Sequence, residues 1–412
     1  MSEVPPSEPK AAGKAGGLWP VGLAVGLIWL GWQVALVPLA ARTPSEHAIR
    51  LAPGSAEVLA RAAEGEMRAG EMEDAGYLAR LSLSRAPFDV EALRVLAMSE
   101  AEAGRTAQAD ELMTLAGNWS LRDNAAHSWL IESRLRQGNY GSAFAHADTL
   151  ARRREDLRPT VFNLFSTAAE MDPRAGPYLV SELADSPPWR ADYFRSLYRR
   201  PEGLQLLAGL AISLEATDAP FTTPELQDLY QALYVGRRIP GLKTVRDALD
   251  RPSNETILVN GGFADDEAIL PFGWNLGVGA GISVALLNDD RKPELTALRV
   301  VHDARNAQEL ARQLVLMQPG TYRLSGRQRL ENGRGRSGFA WQVQCLETSE
   351  IISEVRFGLD MEAQADWSPF QTRVVVPQQG CTAQIVKLVP INTGRRTDIV
   401  IWFSQLALER IP

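Results

Sequence analysis

Gly70, Gly104 and Gly138 stand 34 residues apart, and Ala75, Ala109 and Ala143 keep the same step five positions later. Pro53 and Pro87 share it. A fixed period of this length suits stacked helical hairpins: glycine ends one helix without a Cβ penalty, and alanine lets two antiparallel helices approach closely. The units are "PGSAEVLARAAEGEMRAGEMEDAGYLARLSLSRA", "PFDVEALRVLAMSEAEAGRTAQADELMTLAGNWS" and "LRDNAAHSWLIESRLRQGNYGSAFAHADTLARRR". Each predicts a helix, a glycine turn and a second helix. After Arg158 the period blurs, but apolar residues at helical spacing, punctuated by Pro and Gly, predict three to five more helices, to about Asp250. Thr223, ahead of Pro224 and Glu225, is expected to cap one of them.

These units resemble the tetratricopeptide repeat in period and in the placing of their small residues. They depart from it at Leu59, Leu93 and His127, where an aromatic is usual, and at Leu121, where the other units have Pro. The resemblance implies a helical solenoid over 45–250 that grips a protein partner.

Past Arg251 and Pro252 the period changes to two. In "SGFAWQVQCLE", Phe339, Trp341, Val343 and Cys345 face one way and Ala340, Gln342 and Gln344 the other, which predicts a half-buried strand with Trp341 in the core. "TALRVVHD", "ARQLVLMQ", "TYRLSGRQR", "EVRFGLD", "QTRVVVP", "AQIVKLVP" and "DIVIWFSQLALERI" alternate in the same way between turn-forming residues. Eight or nine short strands with no long helix among them predict an antiparallel sandwich.

The opening "LVNGGFADDEAILPFGWNL", the central "QPGTYRLSGRQR", "DWSPFQTRVVVP" and the closing "IVIWFSQLALERI" resemble the galactose-binding-like jelly rolls, which include many carbohydrate-binding modules. The resemblance covers Ile257 to Ile411 and implies one jelly-roll domain over 254–412. Many such domains carry an acid, linked to a structural calcium, where Ser404 stands here, so no calcium is expected. The chain's two cysteines, Cys345 and Cys381, both fall in this region, on or beside strands that the jelly-roll order could bring together. A disulfide is the expectation and buried free thiols the alternative.

Leu18 to Ala41 contains no charged residue in twenty-four positions, ~36 Å as a helix against a hydrocarbon core of ~30 Å. That predicts a transmembrane helix over 18–41. Ala40 and Ala41 leave a cleaved signal peptide as the competing reading, but its apolar core would be shorter, so an uncleaved single-span anchor is favoured. Flanking charge barely decides orientation, with Lys10 and Lys14 before the span and Arg42 and Arg50 after it. The Pro-rich residues 1–17 look like a disordered cytoplasmic tail, which places the bulk of the chain in the periplasm at a bacterial inner membrane.

The formal net charge of −7 and the scattered arginine pairs give no basic stripe, which argues against a nucleic-acid partner. His47, His127, His146 and His302 show no metal spacing, and neither a metal nor a cofactor is expected. Gly277, Gly279 and Gly281 precede a strand and not a phosphate-holding helix, so they are expected to be turn or bulge glycines. The pairs Asp265-Asp266 and Asp289-Asp290 are expected to be solvated loop acids, and no catalytic residue is identified. Aromatic faces pack against sugar rings, which makes Trp274, Trp367 and Trp402 candidate ligand-binding residues, each with a competing place in the core.

The succession of membrane anchor, helical repeats and terminal sandwich resembles the anchored repeat proteins of bacterial exopolysaccharide or capsule systems. It implies a non-catalytic scaffold for polysaccharide assembly or export, with a protein partner on the repeats and glycan or protein on the jelly roll. A glycan-active enzyme and a pure protein-interaction module are the alternatives.

Overall fold

A computed structural model describes residues 24, 25, 27, 31, 48–50, 52–200, 202–249, 256–264, 269–303, 307–332, 338–358, 366–391 and 399–412. The predicted tail 1–17, almost all of the predicted span 18–41, His47, Asp265 and Asp266 lie outside them. Among the described residues no helix is long and apolar enough to cross a membrane. The chain divides into two compact units, Met1–Val161 and Phe162–Pro412.

The first unit is an array of helix pairs: α1 (Ala56–Ala69) with α2 (Met72–Leu83), α3 (Val90–Glu102) with α4 (Thr106–Trp119), and α5 (Asn124–Arg136) with α6 (Tyr140–Arg153). The 34-residue step has a conformational cause. Gly70, Gly104 and Gly138 adopt φ of +89°, +77° and +69°, a left-handed backbone that side chains disfavour, at the turn within each pair. Ala75, Ala109 and Ala143 are all fully buried, and a larger side chain there would push the helices apart. Ser55, Asp89 and Asp123 begin the first helices of the pairs, each accepting a backbone N–H at its cap.

Charged side chains tie successive pairs together. Arg94 on α3 reaches Glu64 on α1 at 3.2 Å and the α5 cap Asp123 at 2.8 Å. Burial pushes the carboxyl of Glu91 up to about 7, and the neighbouring Glu64 adds to the effect. His127, 1% exposed, and His146 are brought together across α5 and α6, with their Nδ1 atoms 3.1 Å apart. Burial holds both imidazoles below their ordinary range; His146, also facing His127 and Arg134, falls to about 4.

Among the described residues six helices follow Glu155–Leu157: α7 (Arg158–Met171), within which the second unit begins, α8 (Gly176–Ala184), α9 (Arg190–Leu197), α10 (Gly203–Glu215), α11 (Thr223–Val235) and α12 (Ile239–Ala248). That exceeds the expected three to five, partly because Pro187-Pro188 splits one predicted helix into α8 and α9. The cap of α11 is Thr222 and not Thr223. Thr222 Oγ1 accepts from the Glu225 N–H at 3.4 Å while Glu225 Oε2 accepts from the Thr222 N–H at 2.9 Å, and this reciprocal box needs the acid three residues after the cap. Arg190, 7% exposed, fixes the same Glu225 through two bonds of 3.1 Å.

An antiparallel jelly-roll sandwich of two five-stranded sheets follows. Its strands are β1 (Asn275–Leu276), β2 (Ile282–Asn288), β3 (Thr296–His302), β4 (Ala311–Val315), β5 (Gly320–Asn332), β6 (Gly338–Cys345), β7 (Ile351–Phe357), β8 (Ser368–Val376), β9 (Gln384–Ile391) and β10 (Ile399–Arg410). One sheet has the order β1-β4-β9-β6-β7 and the other β2-β3-β10-β5-β8. The two-residue β1 is too short to leave an alternating pattern in the sequence. Trp341 and Phe339 are fully buried between the sheets, but the expectation of a half-buried β6 is corrected: Ala340 is 0% and Gln342 8% exposed. β6 is a central strand, and neighbours on both sides cover its small or hydrogen-bonded outer residues, Gln342 bonding Glu354 at 2.7 Å.

Cys345 and Cys381 are joined in a disulfide, with a Cα–Cα distance of 5.0 Å and a sequence separation of 36. In a chain-entropy picture a loop of this length contributes ~2–4 kcal/mol. Replacing both cysteines with serine is expected to destabilise the sandwich by about that amount in urea denaturation.

The histidine pair makes a pH prediction for the first unit. Lowered imidazole pKa values mean that the unfolded chain binds protons more readily, so the pair's own contribution to stability is complete above about 6.5 and is lost as the pH drops toward about 4. Glu91, raised to about 7, acts in the opposite direction, so the pair is isolated by difference: the stability of the parent relative to His146→Asn, followed by far-UV circular dichroism during thermal unfolding, should fall as the pH drops through this range.

Candidate functional site

The three candidate tryptophans go to different places. Trp274 is 3% exposed in the sandwich core; its ring lies 5.4 Å from Phe263 and 5.5 Å from Trp341, and its Nε1 donates to the Asn260 carbonyl at 3.0 Å. It presents no face to solvent. The "NGGF" opening therefore works as a structural clasp. A Cβ on Gly261 would stand 1.8 Å from the Leu406 carbonyl oxygen, and the Leu406 N–H donates to the Gly261 carbonyl at 2.8 Å.

Trp367 and Trp402 meet around Arg329 on the outer side of the second sheet. The guanidinium lies 5.8 Å from the Trp367 ring centroid and 5.1 Å from that of Trp402. Arg329 reaches Asp290 at 2.7 Å and Asp289 at 3.5 Å, and Asp289 accepts the Trp367 indole N–H at 2.6 Å. Trp402 donates to Glu331 at 2.5 Å. Asp289 is 1% exposed, which corrects its reading as a solvated loop acid, whereas Asp290 is exposed as expected. Burial opposes its ionisation, yet the Arg291 N–H, the Trp367 indole and Arg329 hold its carboxyl below the usual range. Trp402, at 4%, and Arg329, at 1%, are packed away, so this cluster joins the β2–β3 turn to β5, β8 and β10 and offers little surface. Ser404 is fully buried and donates to the Thr296 carbonyl at 2.7 Å. Among the described residues no group of three or more His, Cys, Asp or Glu could hold a metal ion.

An open polar site lies elsewhere in the second unit, between α11 and the first sheet. Phe272 anchors the helices there, with its ring 5.2 Å from Tyr230 of α11 and under the Arg246 guanidinium of α12 at 4.1 Å. Beside this contact is a cleft of about 200 Å³, lined by Gln227, Asp228, Gln231 and Tyr234 from α11, by Leu270 and Pro271, and by Asn275, Arg312 and Ile385 among the strand residues. The β4 strand is fixed at this wall, because the Leu314 N–H donates to the Pro271 carbonyl at 2.9 Å and buried Gln313 bonds the Val259 backbone at 3.0 and 2.9 Å.

Register places Asn275 opposite Arg312, Arg312 opposite Lys387, Lys387 opposite Gln342, and Gln342 opposite Glu354. A polar row thus runs across all five strands on the face next to the cleft. Glu309 is shared by Lys387 at 3.3 Å and Arg312 at 3.8 Å, so Arg312 is only loosely paired. Asp228 forms no ion pair among the described residues and is exposed across the cleft from Arg312. The site therefore combines an accepting carboxylate, a donating guanidinium, three amides that do both, and an aromatic edge.

Sequence reasoning missed every residue of this cleft. Gln227, Gln231 and Tyr234 do form a helical stripe at steps of four and three in "TPELQDLYQALY", the one signal that could have marked them.

No family model matches the chain, and no curated protein matches it. Among solved structures, it is similar to the CBM4 module of "CBM4 structure and function" (15% identity, 37% of this chain and 99% of that chain, TM-score 0.29). It is also similar to TmCBM61 in complex with beta-1,4-galactotriose (15%, 38% and 99%, TM-score 0.28). A third is the CBM22-1 xylan-binding domain from Paenibacillus barcinonensis Xyn10C (12%, 36% and 91%, TM-score 0.26). One fold serves many unrelated ligands, so function must be argued from the side chains of this chain's own site.

The buried cluster and the open cleft should respond differently to mutation. Arg329→Met strands the Asp289 carboxylate in the interior and is expected to cost ~3–5 kcal/mol in urea unfolding, with a smaller loss in the Arg329→Met, Asp289→Asn double variant. Exposed Asp228→Ala should stay within about 0.5 kcal/mol of the parent.

Proposed function

We propose that this protein is a non-catalytic, membrane-anchored periplasmic scaffold of bacterial polysaccharide assembly or export. Its helical repeats, tetratricopeptide-like in period, hold a protein partner, and its jelly roll, together with α11, binds glycan. One observation carries the glycan half: a solvent-open cleft whose Asp228, without an ion pair among the described residues, loosely paired Arg312, amides of Gln227, Gln231 and Asn275, and Tyr234 ring suit the hydroxyls and apolar faces of a sugar. A carboxylate and a guanidinium across one small space accept from and donate to neighbouring hydroxyls without needing charge on the ligand. The volume of about 200 Å³ fits a single ring or a chain end and is too small for a long polymer segment. Two grooves flank α10 in the helical part, about 730 Å³ beside Pro177, Val180 and Leu206 and about 560 Å³ beside Leu204, Leu233 and Pro240, and both suit a protein segment.

Titration calorimetry of the detergent-solubilised full chain against a panel of bacterial polysaccharides and their oligosaccharides tests this reading. Each lost hydrogen bond to a charged group is worth ~1.5–3 kcal/mol, so Asp228→Ala and Arg312→Ala should each weaken binding about 10- to 100-fold. Binding that survives both substitutions would put the sugar somewhere other than the cleft. If no polysaccharide binds, the jelly roll is a protein-interaction module. Release of reducing ends during incubation would make the protein a glycan-active enzyme.

A further inference from the structure

The loops between helix pairs in the first unit form one edge of the array, and that edge is both aromatic and basic. Phe88, 74% exposed, in the loop from α2 to α3, lies against Trp119 at the end of α4, 44% exposed, with ring centroids 4.8 Å apart. Leu121, in the next loop, is 60% exposed. Arg85 Nη1 donates to the Pro53 carbonyl at 2.6 Å, and Arg153 Nη1 donates to the Leu121 carbonyl, so these loops and the start of α1 are tied to a common border. Arg85, Arg122 and Arg153 are exposed there, and none forms an ion pair among the described residues. Of the nearby acids, Asp89 caps α3, Asp123 is held by Arg94 at 2.8 Å, Asp156 by Arg154 at 2.6 Å and Glu155 by Arg158 at 3.5 Å, while Glu57 at the start of α1 is exposed.

We propose that this edge rests on the surface of the bilayer that holds the anchor, with Phe88, Trp119 and Leu121 at the headgroup–acyl boundary and the three arginines on anionic lipid phosphates. The proposal rests on the membrane-anchor part of the function proposed above. Chain length is what selects the membrane over other occupants. Pro53, on this same edge, follows the last residue of the uncharged stretch, Ala41, by twelve residues, a reach of at most ~40 Å, so the tether delivers this border of the array to the lipid surface. The residue types agree with the location: tryptophan favours the membrane interface, and each arginine near an anionic surface multiplies the docked population roughly fivefold. The opposite edge, with the turns at Gly70, Gly104 and Gly138, carries Glu71 and an Arg105 already held by Glu100.

Both native cysteines are in the disulfide, so one added thiol can be labelled alone. The full chain carrying Leu121→Cys with an environment-sensitive NBD label would be placed in phosphatidylcholine nanodiscs, with and without phosphatidylglycerol. Emission should shift to the blue and resist iodide quenching only in the phosphatidylglycerol discs, while the same label on Glu71→Cys stays water-like in both. Arg85→Glu with Arg122→Glu should reduce the docked population roughly 25-fold or more, and added salt should act in the same direction. A Leu121 label that stays water-like in anionic discs, although the chain co-elutes with them, overturns the proposal and leaves the anchor standing. A blue shift already present in detergent, or one insensitive to lipid charge and to both substitutions, assigns the edge to a protein contact and also overturns it. A chain that does not enter the discs at all removes the anchor, and the edge proposal falls with it.

Discussion

The Phe272 ring meets Tyr230 nearly at a right angle, and its face lies beneath Arg246 at 4.1 Å; this pair of contacts governs what the second unit can offer a ligand. It seats α11 and α12 on the sandwich through the loop that also fixes β4, where the Pro271 carbonyl accepts from Leu314. The cleft exists because a helix and a sheet meet at an angle that side chains do not fill. Its walls then come from segments far apart in the chain, Gln227 to Tyr234 on one side and Asn275 and Arg312 on the other. A sandwich without those helices would have the polar row of Arg312, Lys387 and Gln342 but no concavity beside it.

The polar residues of the second unit have two different roles. Around Arg329, the buried guanidinium, Asp289 and the Trp402 ring, with half-buried Trp367, bind the β2–β3 turn to the sheet; breaking one partner is costly because the other is left in low dielectric. At the cleft, exposed Asp228 and loosely paired Arg312 line one open space and form no ion pair with each other among the described residues, so a ligand has hydrogen bonds to gain. Burial separates these roles more sharply than residue type, since both places hold an aspartate, an arginine and an aromatic ring.

Much of the fold was legible in the chain. The 34-residue step fell on the three left-handed glycines and the three fully buried alanines, because a left-handed turn and a close helix crossing each admit few residue types. Alternation located β3 to β10, because one face of each strand must meet the core. Helix number was less legible: Pro187-Pro188 could end a helix or only bend it, and the packing of Trp189 on Phe162 and Phe165 decided for two. The Thr222 cap was misplaced by one residue, as either of two adjacent threonines satisfies the local pattern and only the reciprocal bond to Glu225 selects one.

The site was far less legible, and the reason is geometric. Local sequence determined period, turn chemistry, the apolar faces and the uncharged stretch at 18–41, since each depends on neighbours within one turn or one strand. Only tertiary structure decided that Trp274 is core, that Asp289 is buried under Trp367, that Cys345 and Cys381 are bonded, and that His127 meets His146. The same holds for the cleft and for the aromatic edge of Phe88 and Trp119: each joins residues contributed by different elements, and whether a polar or aromatic side chain is covered or offered to a partner is set by what the rest of the chain places over it.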